Sequence, residues 1–204
     1  MKTPQTIDRN ENPRATKKPE FLKLLRVLKP TKKDVFYDLG CGYGYPCLWI
    51  SDMVKCCVGI ENYLPHYRKA RENIGSKRKN VEIVNSDYNK ISLKGATIIY
   101  STLCFPIHML AKIKRETEQG TRLVSRELPP PYPIKSKNVE RFYLFKTPYE
   151  RVSNEDEYAK IFLGDENVTA HDMFDFLDTA DDLAVVRKFK DNIMNGEANW
   201  KAVK

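Results

Sequence analysis

The sequence predicts an α/β fold, a doubly wound, mostly parallel sheet of about seven strands with helices on both faces. Two observations carry that expectation. Short β-branched, apolar runs alternate five times with helical patterns across short links, which is the rhythm of βαβ units. Gly40, Gly42 and Gly44 fall between the first such run and the next helical stretch, and doubly wound sheets bind ligands at the carboxyl ends of their strands.

The elements follow in order. Residues 1–18 are polar, charged and proline-containing, and read as an irregular segment. A helix is expected near Pro19, because Phe21, Leu24, Leu25 and Leu28 fall on one helical face and Pro30 stops it. Asp34 to Leu39 reads as a buried strand, Tyr45 to Met53 as a helix, and Cys56 to Ile60 as the second strand. Pro65 opens a helix with Tyr63, Tyr67, Ala70 and Ile74 on one face and Gly75 at its end. Val81 to Val84, Ala96 to Leu103 and Thr121 to Leu128 are the next strands, with Pro106 to Lys114 helical between the last two. Pro129, Pro130 and Pro131 force an extended exit. Arg141 to Phe145 looks like a strand. Asp156 to Leu163 fits a strand, or a helix capped by Ser153. Thr169 and Asp172 have capping-box spacing. The α/β domain is therefore placed at 19–165 and a C-terminal helical extension at 166–204.

Bulk properties narrow the classes. A chain of 204 residues can bury a core without disulfides or a structural metal. Cys41, Cys47, Cys56, Cys57 and Cys104 are odd in number and none has C-x-x-C spacing, so buried thiols are expected rather than a zinc site. His66, His108 and His171 share no metal-ligand spacing, and His66 and His108 are expected on the surface. No apolar run is long enough to cross a bilayer, and a cytoplasmic setting is expected. The net charge is +8, but Glu150 to Asp182 holds eleven acidic residues against Arg151 and Lys160. The rest of the chain is thus strongly basic. That suits a solvated surface, an anionic partner such as RNA, or an acidic patch that holds a basic tail.

The strongest motif is Asp38-Leu39-Gly40-Cys41-Gly42-Tyr43-Gly44. Alternate glycines let the backbone turn sharply and approach a ligand. The nicotinamide fingerprint needs a third glycine at 45, where Tyr45 stands, and no G-K-[ST] follows to make a Walker loop. An adenosine ligand without phosphates fits better. Glu61 ends the second strand, where a carboxylate can accept both ribose hydroxyls. Asp87 follows the third strand, where it can accept from an adenine amino group; a turn or helix cap is the plainer role for either acid.

These residues resemble the class I, seven-strand family of S-adenosylmethionine (SAM) methyltransferases, over roughly residues 15–165. Within it, Val35 to Gly42, Val58 to Glu61 and Gly120 to Glu127 are most similar to archaeal protein-lysine methyltransferases and non-SET histone lysine methyltransferases. The resemblance implies SAM as cofactor, S-adenosylhomocysteine as product, and no metal. It implies Gly40, Cys41 and Gly42 at the amino-acid end, Glu61 on the ribose and Asp87 beside the adenine, with Asp38, Gly44, Asn62 and Tyr88 also binding the cofactor. It also implies that Asp156 to Leu163 is the seventh, antiparallel strand. Position 43, often acidic in the family, is Tyr43, and nothing beyond Asp165 has a counterpart.

The reacting centre is expected after the fourth strand, at Ser101 to Pro106. The Asn/Asp-Pro-Pro-Tyr/Phe motif of adenine and glutamine methylation is absent. Cys104 lacks the preceding proline of a cytosine-carbon nucleophile and reads as a packed thiol. Ser101 and Thr102 can offer acceptors to an amine, Ser101 also bordering the cofactor, and Phe105 and Tyr132 can wall a slot or simply pack in the core. The resemblance favours a protein lysine as acceptor. The basic excess favours RNA, a small molecule stands beside it, and an inactive SAM-binding module is the third class.

Overall fold

The computed structural model describes residues 15–76, 78–102, 105–126 and 134–150, with Val152, Asn154, Asp156, Ala159, Lys160, Asn167 and Thr169 beyond them. Helix α1 (Lys18–Leu28) starts at a Lys-Pro step and buries Phe21, Leu24, Leu25 and Leu28, the face the spacing predicts. Lys29 closes it in the left-handed region at φ 48°, its N–H bonded to the Leu25 carbonyl.

Strand β1 (Val35–Leu39) leads through the glycine cluster into α2 (Tyr45–Ile50), which tightens into a 3-10 turn at Ser51–Met53. Strand β2 (Cys56–Glu61), helix α3 (Leu64–Ile74) and strand β3 (Val81–Asn85) follow. A 3-10 turn at Tyr88–Lys90 precedes β4 (Ile98–Ser101), α4 (Ile107–Glu116) and β5 (Arg122–Arg126). Strands β6 (Lys137–Val139) and β7 (Phe142–Lys146) complete the sheet.

The strand order is β3-β2-β1-β4-β5-β7-β6. The first five strands are parallel, β7 runs antiparallel to β5, and β6 antiparallel to β7. The expected seven strands are present, but the last is not the one expected. Asp156, Ala159 and Lys160, the residues of the Asp156 to Leu163 segment that are described, are helical rather than extended, the second of the two conformations the segment fits; Ala159 is fully buried in the core cluster that holds the α4 side chains. The seventh strand is made earlier, by a hairpin at Glu140-Arg141 with Glu140 at φ 55°. Nearly all of the 166–204 extension, and Glu127, Leu128 and the Pro129 to Pro131 run, lie outside the described residues.

Two cores sandwich the sheet. On one face Phe21 packs edge-on against Phe36 and Tyr100 at ring separations of 6.5 and 5.6 Å, with Ile50 and Phe142 around them. On the other, Met109, Leu110 and Ile113 of α4 pack on Leu39, Ile99 and Leu123. The chain winds outward from β1 to β3 and returns to β4, so the order reverses between β1 and β4, where Leu39 faces Ser101 in register. That reversal opens a crevice beyond the strands' carboxyl ends. The amino end of β1 is tied differently. Asp34 accepts from the Thr31 N–H (2.6 Å) and hydroxyl (3.0 Å), from the Thr97 hydroxyl (2.8 Å) and from the Arg122 guanidinium. Among the described residues no helix is long and apolar enough to cross a membrane.

Candidate active site

The glycine loop is held to the end of β2. The Gly40 and Cys41 N–H groups both donate to the Ile60 carbonyl at 2.9 Å, and the Gly44 N–H donates to the Cys41 carbonyl at 2.8 Å. Gly40 and Gly44 lie at φ 80° and 75°, a region that side chains disfavour. A Cβ at Gly44 would stand 3.3 Å from the Cβ of Ala70, so that glycine lets α3 pack closely. A Cβ at Gly40 would meet nothing within 4 Å, because the backbone there faces open space. Behind the loop, a Cβ on Gly59 would come within 2.7 Å of Ile83 and 3.0 Å of the Cys41 sulfur, so β2 needs glycine there.

Glu61, buried at the end of β2, accepts from the Gly42 N–H at 2.9 Å and the Tyr63 N–H at 2.8 Å. It therefore fixes the glycine loop from the β2 side. Asp38, 1% exposed, stands at the end of β1. Its Oδ2 is approached by the Cys47 thiol at 3.9 Å, and its Oδ1 has no hydrogen-bond partner among the described residues. Burial, and next the negative charge of Glu61, push the Asp38 carboxyl up to about 8, against the weak opposing bond from Cys47. Burial also holds the thiols of Cys41, Cys47 and Cys57 above their ordinary range. These three cysteines are packing groups; Cys56 is half-buried and Cys104 lies outside the described residues.

Two adjoining cavities open here. The smaller, of about 20 Å³, is lined by Asp38, Gly40, Cys41, Tyr43 and Thr102 and roofed by Thr16. The larger, of about 170 Å³, is lined by Gly40, Tyr88, Ser101, Thr102, Phe105 and Met109. Gly40 and Thr102 border both. The structure thus gathers Asp38, Gly40, Cys41, Tyr88, Ser101, Thr102 and Phe105 at one crevice, with Gly42 and Glu61 behind the loop. Phe105 does both things expected of it, lining the cavity and packing edge-on against Phe145 in the core. Asn62 is exposed and lines neither cavity. Asp87 caps the 3-10 turn, accepting from the Asn89 N–H at 2.8 Å, and also lines neither. Tyr132 lies outside the described residues.

Two features were not read from the sequence. Thr16, ahead of α1, shares a hydrogen bond with the buried Tyr100 hydroxyl and so closes over the site; the pairing spans 84 residues and leaves no local signal. A track of rings also flanks the crevice. Tyr45 stacks on Trp49 at 5.6 Å and meets Tyr43 at 6.4 Å, while His66 lies edge-on between Tyr43 and Tyr63 at 5.0 and 4.8 Å. His66 is thus half-buried among rings rather than on the open surface expected of it.

No family model matches the sequence. A protein-lysine N-methyltransferase of Saccharolobus islandicus (strain REY15A) is 29% identical over 111 residues, 52% of this chain and 69% of that protein. Among solved structures, an RNA methyltransferase from Salinibacter ruber in complex with S-adenosyl-L-homocysteine superposes with a TM-score of 0.59 at 23% identity. That match covers 69% of this chain and 97% of the other. The tRNA (m1A58) methyltransferase TrmI of Aquifex aeolicus gives 0.50 at 15% identity, over 70% of this chain and 67% of its own. The architecture is the Rossmann-like methyltransferase fold, and the resemblance read from the glycine loop stands.

Proposed function

We propose that this protein, built on the fold of class I methyltransferases, is a SAM-dependent methyltransferase that acts on a lysine amine of a protein. The observation that carries the cofactor assignment is the Asp38 corner: a buried carboxyl oxygen without a partner among the described residues, beside a glycine whose missing Cβ leaves open space. That corner fits the ammonium and backbone-like atoms of an amino acid. SAM, when bound, supplies an electrophilic methyl group on a sulfonium.

The residues around it have separable tasks. Gly40, Cys41, Gly42 and Gly44 let the backbone approach the amino-acid end. Glu61 receives the ribose hydroxyls on lone pairs left free by the Gly42 and Tyr63 amides. Asn62, Asp87 and Tyr88 take the ribose and adenine side. Ser101 and Thr102 are neutral acceptors where the strand order reverses, suited to orienting an amine without stabilising the sulfonium charge. A free lysine, with a pKa of about 10.4, is almost wholly protonated at neutral pH. The wall that contains Phe105 favours the neutral amine by excluding water. The contribution to rate is alignment of nucleophile with methyl carbon.

Similarity to the Saccharolobus protein-lysine N-methyltransferase supports the lysine acceptor. The basic surface outside residues 150–182 supports RNA as the second reading. Tritium transfer from labelled SAM into a cell extract separates them. The lysine reading expects label in protease-sensitive material and mass-spectrometric methylation on lysine. Label only in nuclease-sensitive material overturns it in favour of RNA.

A further inference from the structure

Asp38 is a carboxyl with almost no means of carrying its charge alone. It pairs in register with Gly59 of β2 and Tyr100 of β4, neither of which gives it a cation. Among the described residues the ionisable groups packed around it are Glu61 and Cys57 of β2, Cys47 of α2, Cys41 of the loop and Tyr100 of β4. All of them are neutral or negative. Arg126 is the cation on the Tyr100 side, and it is paired with Glu20 at 3.0 Å. Yet Oδ1 is buried and unpartnered in a residue that lines a cavity. A protein that merely needed packing here would be served by Asn or Leu. A carboxyl left without a cation at a cavity wall is matched to a ligand that brings the cation with it.

We propose that Asp38 stands as the neutral acid in the free protein and releases its proton to solvent when the ammonium of the cofactor's amino-acid end reaches Oδ1. The inference rests on SAM being the ligand. The balance is simple. The Asp38 O–H bond breaks, the proton passes to buffer, and the carboxylate keeps the electron pair that then accepts from the ammonium. Burial beside Glu61 sets the free state, holding the carboxyl up to about 8. The incoming charge lowers it in the complex. The sign follows: below the free-state value the complex binds fewer protons than its parts, so affinity increases as pH rises. The slope is about tenfold per pH unit between roughly pH 6 and 7.5, before a ligand amine titrates. The same device selects against adenosine ligands that lack the ammonium, because they meet a neutral acid that gains nothing from them.

Titration calorimetry of the full chain at pH 7, in two buffers of different ionisation enthalpy, counts the protons directly. We expect about one proton released per SAM or S-adenosylhomocysteine bound, and none with methylthioadenosine, which lacks the amino acid. Asp38→Asn should release none and should lose the pH dependence of affinity. Zero protons released by the parent protein overturns the proposal, as does undiminished release from a folded Asp38→Asn variant. Should the variant not fold, the parent's count and the methylthioadenosine comparison decide alone. Absence of any SAM or S-adenosylhomocysteine binding from pH 6 to 8 would instead refute the methyltransferase reading, and this inference with it.

Discussion

Strand β1 is bracketed by two aspartates, Asp34 and Asp38, and the two ends of the strand treat the same side chain in opposite ways. At the amino end burial alone would raise Asp34, but the Arg122 guanidinium with Thr31 and Thr97 outweighs it and holds the carboxyl below its ordinary value. At the carboxyl end burial and Glu61 raise Asp38 to about 8, and among the described residues no donor answers Oδ1. One carboxyl is satisfied by its own protein; the other we propose as the group that meets a ligand's cation. Perturbed groups of the second kind concentrate at functional sites. Structural groups resemble Asp34, with each lone pair accounted for. The difference teaches that burial of an acid is not itself a sign of function; the absence of a partner is.

The largest effect should come from breaking the satisfied end. Asp34→Ala strands a partly buried Arg122 and three donors, and should cost about 2–3 kcal/mol of stability at pH 7, measured by urea unfolding. Asp34's folded value is lowered, so its contribution is complete above the unfolded value of 3.8 and is lost as pH falls through the folded one. The gap between variant and parent should therefore close in strong acid. SAM affinity of the folded variant should be unchanged; a marked loss of affinity would erase the distinction between the two ends. The smaller effect belongs to the ligand end. Glu61→Ala should weaken SAM binding by about 1.5–3 kcal/mol, through lost hydrogen bonds to a charged group, in calorimetry on protein shown to be folded. Unchanged affinity would make Glu61 a loop brace only, through its bonds to Gly42 and Tyr63.

The parallel half of the sheet was legible because its strands are apolar runs and its links are short. The Gly40, Gly42, Gly44 spacing marked the loop that borders the crevice, and the acid at 61 proved to be the group that holds that loop. The antiparallel end was legible only in part: the Arg141 to Phe145 run reads as a strand and is β7 (Phe142–Lys146), but its edge partner β6 was not foreseen. Lys137-Asn138-Val139 forms an edge strand with two exposed polar residues, so no alternating apolar pattern announces it, and a non-glycine residue makes the left-handed turn that follows. Asp156 to Leu163 mixes apolar and polar residues in a way that fits either period, and its described residues Asp156, Ala159 and Lys160 are helical, with Ala159 buried in the core. The Asp34 network was hidden because its partners lie up to 88 residues away. The motif led to Asp38 being expected as a cofactor-binding residue, but its want of a donor among the described residues is a property of the packed interior. No pattern along the chain states it.

The contrast between the two aspartates is open to one direct measurement, carbon-13 NMR titration of the aspartate side-chain carboxyls in the free protein and with saturating S-adenosylhomocysteine. The account predicts that Asp38 titrates near 8 when free and well below that when bound, while Asp34 stays below 3.8 in both states. A free-state Asp38 titrating near 4, unmoved by the ligand, would contradict it.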